Sequence, residues 1–97
     1  MSSVIDGAVA ALSAKIGDGF DGSAKFVIEG EGAVMVDGAG VRATDDGAEA
    51  DVTMTADTGT FQDILSGDLN PTAAFMGGRL KVDGDMGTAM RLGSALS

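Results

Sequence analysis

The sequence predicts an α+β fold, an antiparallel sheet with helices gathered on one face, and three observations carry that prediction. Residues 3–16 hold apolar side chains at helical spacing. Residues 25–56 break into short alternating runs separated by turns rich in Gly and Asp. Residues 57–92 return to helix signals around one further alternating run. At 97 residues the chain reads as a single domain, 1–97, near the size at which one core still folds alone.

In the first segment Ile5, Ala8, Val9, Leu12 and Ile16 recur at spacings of three and four, which makes residues 3–16 an amphipathic helix ended by Gly17. The glycine-rich run 17–22 is a loop. Lys25 to Glu29 then alternates, with Phe26 and Ile28 on one side and Lys25, Val27 and Glu29 on the other. Glu29-Gly30-Glu31-Gly32 signals a hairpin, and Ala33 to Val36 is the returning strand. Two registers fit. A two-residue loop at Gly30 and Glu31 sets Met35 beside Phe26, whereas a three-residue loop sets Val34 and Val36 there. The second is preferred because it buries two β-branched side chains.

Asp37 to Gly40 makes the next turn, Val41 to Thr44 a third strand, and Asp45 to Glu49 an acidic loop. Val52, Met54 and Ala56 then alternate with Asp51, Thr53 and Thr55, the clearest strand in the chain. Asp57 or Thr58 caps a helix with Phe61, Ile64 and Leu65 on one face and Gly67 as its stop. Asn70-Pro71 reads as N-cap and first helical residue of a short helix that presents Ala74, Phe75 and Met76 and closes at Gly77-Gly78. Arg79 to Asp83 alternates with Leu80 and Val82 inward. Asp85 caps a last helix carrying Met86, Ala89, Met90 and Leu96.

Charge and composition narrow the function. Six basic against fifteen acidic residues give a net charge of -9, which argues against nucleic acid, whose binding depends on neutralising phosphates, and against docking on anionic membranes. The locally positive part is 76–97, where Arg79, Lys81 and Arg91 face only Asp83 and Asp85. Without His or Cys there is no imidazole or thiolate for nucleophilic catalysis or metal binding, and a reducing compartment suits the chain. The start carries no basic run before its apolar residues, and no stretch approaches the roughly 18 apolar residues of a spanning helix, so a cytoplasmic protein without stable membrane insertion is expected. With 44% hydrophobic residues but only Phe20, Phe26, Phe61 and Phe75 as aromatics, the interior must be aliphatic, Ala and Met.

Several patterns invite a chemical reading. Asp45, Asp46, Glu49 and Asp51 are dense enough for calcium or acid/base work, yet they miss the alternate-ligand spacing of an EF-hand, and a solvated loop is the simpler account. Gly38-Ala39-Gly40-Val41-Arg42-Ala43 matches G-x-G-x-x-A, but a strand follows where a phosphate site needs a helix, so it reads as a turn with its glycines at positive φ. The run 17–22 resembles one copy of a calcium β-roll repeat, which cannot stack alone. Met54, Met76, Met86 and Met90 either fill an ordinary core or make an adaptable apolar surface. Sixteen glycines and few aromatics leave little volume between sheet and helices, which favours a void there. Arg79, Lys81 and Arg91 are candidates to meet an anionic head group or are simply solvated.

The run Leu65-Ser66-Gly67-Asp68-Leu69-Asn70-Pro71, then Ala74 to Val82, Gly84-Asp85-Met86 and Ala89-Met90-Arg91-Leu92 resembles the sterol carrier protein 2 family, with the upstream helix, hairpin and strand in the family's order. The resemblance implies a five-stranded, largely antiparallel sheet with helices packed on one face, enclosing a hydrophobic tunnel that takes sterols, fatty acids, fatty acyl-CoA or phospholipids without catalysis and without a cofactor. Together with the inward phases above, it places Phe26, Ile28, Val34, Met54, Phe61, Ile64, Leu65, Phe75, Met76, Leu80, Val82, Met86 and Met90 around the ligand, with Arg79 and Arg91 as head-group candidates. Many members carry a glutamine where this chain has Gly77, so that polar contact is lost; their following lysine is Arg79 here. The chain resembles a stand-alone bacterial-type member. Three functions follow in order: lipid binding or transfer; a structural or dimerisation module that docks a partner enzyme or a second copy through the sheet's outer face at Val27 and Met35; and an acid/base enzyme using Asp pairs.

Overall fold

The structure, a computed structural model, describes residues 3–17, 20–45 and 47–96, without the side chains of Ser3 and Leu96. The loop residues Asp18 and Gly19, the acidic-loop residue Asp46 and the expected inward Leu96 side chain therefore lie outside the described residues. In chain order the elements are α1 (Ser3–Ile16), β1 (Ala24–Ile28), β2 (Gly32–Asp37), β3 (Gly40–Thr44), β4 (Val52–Ala56), α2 (Thr58–Ser66), α3 (Pro71–Met76), β5 (Lys81–Gly84) and α4 (Met86–Leu96).

The strands form one sheet in the order β3-β2-β1-β4-β5. Three pairings are antiparallel, and β1 with β4 is parallel, so the sheet is mixed rather than wholly antiparallel. The hairpin between β1 and β2 has the three-residue loop: Phe26 faces Val34 and Ala24 faces Val36. Burial decides this register, because it puts Phe26, Ile28, Val34 and Val36, each no more than 1% exposed, on the helix-covered face. On the other flank of β1, Ala24, Phe26 and Ile28 stand level with Val52, Met54 and Ala56 of β4. In the next turn Gly40 takes a positive φ of 118°, whereas Gly38 does not, against the expectation for both.

All the helices pack on one face. Helix α1 lies over β2 and β3, and α4 over β1, β4 and β5, while α3 packs on α4. Phe61 of α2 meets Phe26 edge to face, with ring centroids 5.2 Å apart. The opposite face is not bare. Connecting β3 at one edge to β4 beyond β1 takes residues 47–51 across the sheet, and Lys25 Nζ donates to the Ala48 carbonyl at 2.8 Å. Lys25, Met35 and Ala33 are accordingly 6%, 5% and 1% exposed. The Ser23 and Asp51 side chains each accept from the other's backbone N–H, which fixes the strap's end. Met35 is thus interior, which takes it out of the outer docking face expected at Val27 and Met35, while Val27 stays half-buried.

Local chemistry sets the helix starts. Asp57 caps α2, accepting from Thr60 N at 2.7 Å, and Gly67 closes it in the left-handed region. Asn70 caps α3, accepting from Thr72 N at 2.8 Å, ahead of Pro71. Asp85 caps α4, accepting from Gly87 N and from the Thr88 hydroxyl. The backbone hydrogen bond from Thr60 holds the Asp57 carboxyl below the usual carboxylate range, and the Thr88 hydroxyl does the same for Asp85. Strand β5 begins at Lys81, two residues later than the alternation suggests, because Arg79 N and Leu80 N both donate to the Ala74 carbonyl and hold that stretch as a turn.

Candidate functional site

Where α1 ends its cover, the sheet carries a cleft instead of a filled core. Its floor is Phe26, Met54 and Val82, one inward residue from each of three neighbouring strands in register. Helix α2 contributes Ile64, and the turn after α3 contributes Leu80. Helix α3 gives Pro71, Thr72, Phe75 and Met76, and α4 gives Met86, Ala89, Met90 and Gly93, which share one helical face at spacings of three and four. The cleft's volume is about 350 Å³. This lies at the small end of the roughly 300–1,000 Å³ of small-molecule sites.

The base and the rim differ. Phe26, Ile64, Leu80 and Met54 are at most 4% exposed, while Phe75, Met86, Met90 and Met76 are 42%, 45%, 72% and 81% exposed. Long apolar side chains left in water at this density, around an apolar hollow, mark a surface meant to be covered. Methionines there can change rotamer to follow an occupant.

Nine of the thirteen expected apolar residues line the cleft: Phe26, Met54, Ile64, Phe75, Met76, Leu80, Val82, Met86 and Met90. Ile28 and Val34 lie instead in the closed core. Phe61 and Leu65 turn towards α1, where with Val4, Gly7, Ala8, Ala11, Gln62 and Ser66 they border a second hollow of about 450 Å³. That hollow lies between two helix backs and has Gln62 and Ser66 on its wall, so it is less suited to an apolar guest. Pro71, Thr72, Ala89 and Gly93 also line the cleft and were not among the expected residues. Gly93 and Ala89 could have been found by extending the Met86 and Met90 face one turn, but Pro71 and Thr72 read only as helix-start signals.

Neither head-group candidate lines the cleft. Arg79 Nη2 lies 3.5 Å from Asp63 Oδ2, both side chains being half exposed. Arg91 Nη2 donates to Thr88 Oγ1 at 3.1 Å. Asp51 of the acidic loop is tied to Ser23, and among the described residues no group of three or more Asp or Glu could hold a metal ion. No described helix is long and apolar enough to cross a membrane.

Known proteins share this fold. The fold matches the sterol carrier protein 2 of Aedes aegypti solved with palmitate, at a TM-score of 0.74 and 19% identity, covering 100% of this chain and 97% of that one. It matches the sterol carrier protein domain 2 of Helicoverpa armigera at a TM-score of 0.73 and 28% identity, covering 96% and 84%. Among sequences, hydroxysteroid dehydrogenase-like protein 2 of Xenopus laevis is 39% identical over 74 residues, which are 70% of this chain and 18% of that protein. Human sterol carrier protein 2 is 43% identical over 44 residues, 45% of this chain and 8% of that protein. The chain therefore spans less than a fifth of either relative. Residues 8–97, from within α1 through α4, match the description of the SCP-2 sterol transfer family, and the chain belongs to that family.

Proposed function

We propose that this chain binds, and hands on, a lipid in the cleft between α3, α4 and the β1-β4-β5 part of the sheet, without catalysing a reaction on it, in the cytoplasm. The carrying observation is the cleft itself: about 350 Å³ with a buried apolar base and a rim of Phe75, Met76, Met86 and Met90 in water. Burying an acyl chain there is worth about 0.8 kcal/mol per methylene. That palmitate occupies the Aedes aegypti protein of the same fold supports the reading, and fatty acid, fatty acyl-CoA, a sterol-like molecule and phospholipid are the ligand classes to compare. Native mass spectrometry of protein purified without detergent, with displacement of an uncharged polarity-sensitive dye, tests it. A co-purifying lipid mass and displacement at micromolar lipid are expected; their joint absence would sink the reading.

A second reading takes the same rim as an interface to a larger enzyme or a second copy. The exposed Met76 and Met90 favour it, as does the relatives' greater length. In that case sedimentation would show a concentration-dependent dimer that Met76→Lys abolishes, and lipid would leave it unchanged.

A further inference from the structure

We propose, resting on the lipid-binding reading above, that the cleft selects lipids with an uncharged head group, so that a single aliphatic chain ending in a hydroxyl or ester binds more tightly than the same chain ending in a carboxylate. None of the thirteen residues lining the cleft is charged. The side-chain polar group among them is the Thr72 hydroxyl, which can both donate and accept and so pairs with an alcohol or ester without a net charge on either side.

All six Lys and Arg residues are described, and each is placed elsewhere. Lys15 is on α1, which takes no part in the cleft. Lys25 is on the opposite face against Ala48, and Arg42 grips Asp37 through two hydrogen bonds of 3.0 and 2.8 Å. Lys81 stands beside Thr55 on the sheet's outer phase, one residue away from the inward Leu80 and Val82. Arg91 is set about 140° around α4 from Met86, given about 100° per residue, and its guanidinium points to Thr88. That leaves Arg79, which precedes Leu80 of the cleft's base, and Asp63 already faces it at 3.5 Å. Asp63 precedes Ile64 as Arg79 precedes Leu80, so the pair adds no net charge beside the apolar base.

A carboxylate entering here would leave water for a wall with no cation, a step that costs free energy unless the charge is paired. It would also approach a chain of net charge -9. At 0.1 M salt such repulsion reaches about 10 Å. An alcohol or ester feels neither effect, and its chain gains the same burial.

The experiment is competitive displacement of 1-aminoanthracene, an uncharged dye, by dodecan-1-ol, methyl dodecanoate and dodecanoate at pH 7.5 in low and high NaCl. The alcohol and ester are expected to compete alike, with dodecanoate about fivefold or more weaker, a gap of the order of one unpaired charge near a protein surface. Added NaCl should narrow that gap. Asp63→Asn, which removes the carboxylate facing Arg79 without touching the lining, should strengthen dodecanoate alone by about two- to fivefold, the size of one exposed ion pair. Dodecanoate equalling or outcompeting dodecan-1-ol on the unaltered chain would overturn the inference, as would a loss confined to dodecanoate in Arg79→Gln. Displacement by none of the three would overturn the lipid-binding reading itself, and this inference with it.

Discussion

The α1 side of the sheet and the α4 side rest on the same inward phases of adjacent strands, yet they end differently. Under α1, Leu12, Val34 and Val36 are wholly buried and β-branched residues interlock. Under α4, the floor of Phe26, Met54 and Val82 is overhung by Met86 and Met90, and the six-residue α3 stands as a wall. A 14-residue helix rich in Ala can lie flat on a sheet and exclude water. A short helix opened by proline and followed by two glycines cannot cover as much, so a hollow remains. One half carries stability and the other half carries the opening, and substitutions should separate them.

The largest effect is expected at the closed half. Leu12→Ala should cost about 2–5 kcal/mol, as for buried leucines generally, read as a lower urea midpoint with unchanged slope. Met90→Ala, at a side chain 72% exposed, should stay within about 0.5 kcal/mol of the parent while weakening lipid displacement. Similar losses of stability at both sites would erase the distinction. Gly84→Ala is expected next. Gly84 sits at φ +117°, and a Cβ there would lie 2.5 Å from the Asp51 carbonyl oxygen, so strain of about 1–3 kcal/mol should appear in the same melts. An unchanged midpoint would mean that the start of β4 can move away from β5.

Removing the α3 cap sharpens the comparison within the open half. Asn70→Ala should cost about 1 kcal/mol, and it should speed amide exchange at Thr72 and Ala73, whose N–H groups Asn70 holds, leaving α1 amides unaffected. Uniformly faster exchange would show that the two halves unfold as one.

Acid should produce the mildest and most even effect. Asp37 is held below its ordinary pKa first by hydrogen bonding to Arg42, Asp57 by the Thr60 backbone and Asp85 by the Thr88 hydroxyl. Each folded value being below the unfolded one, the stabilisation is present above about pH 3.9 and lost as pH falls through the folded values. Urea midpoints should therefore decline below about pH 4, and Asp57→Asn should flatten that decline. A steeper decline in that variant would reverse the assigned sign.

Much of this architecture was legible before the structure. Residues 3–16, the 52–56 strand and the Asp57, Asn70 and Asp85 caps follow from local spacing, because each depends on neighbours within a few residues, whereas the hairpin allowed two registers that burial decides. The parallel β1–β4 pairing does not follow from spacing, since alternation tells which side chains point inward but not which strand lies alongside. The same blindness explains the site. Ile28 and Val34 share an inward phase with the cleft's strand residues, and Phe61 and Leu65 an apolar helix face with Ile64, and spacing does not show that the first two lie in the closed core while the last two face α1. Lys25 and Met35 lie on the phase that reads as solvent, and nothing in their spacing reveals a strap arriving from residue 48.

The hydrogen bond from Lys25 to the Ala48 carbonyl has a further use as a built-in gauge of opening. Of the three lysines, Lys15 and Lys81 stand in water and should acylate at once with an amine-directed reagent, while Lys25, 6% exposed, can react only when the 47–51 crossing lifts from the sheet. The slow labelling of that single amine, followed by mass, would count excursions of the strap one molecule at a time, without a probe attached in advance.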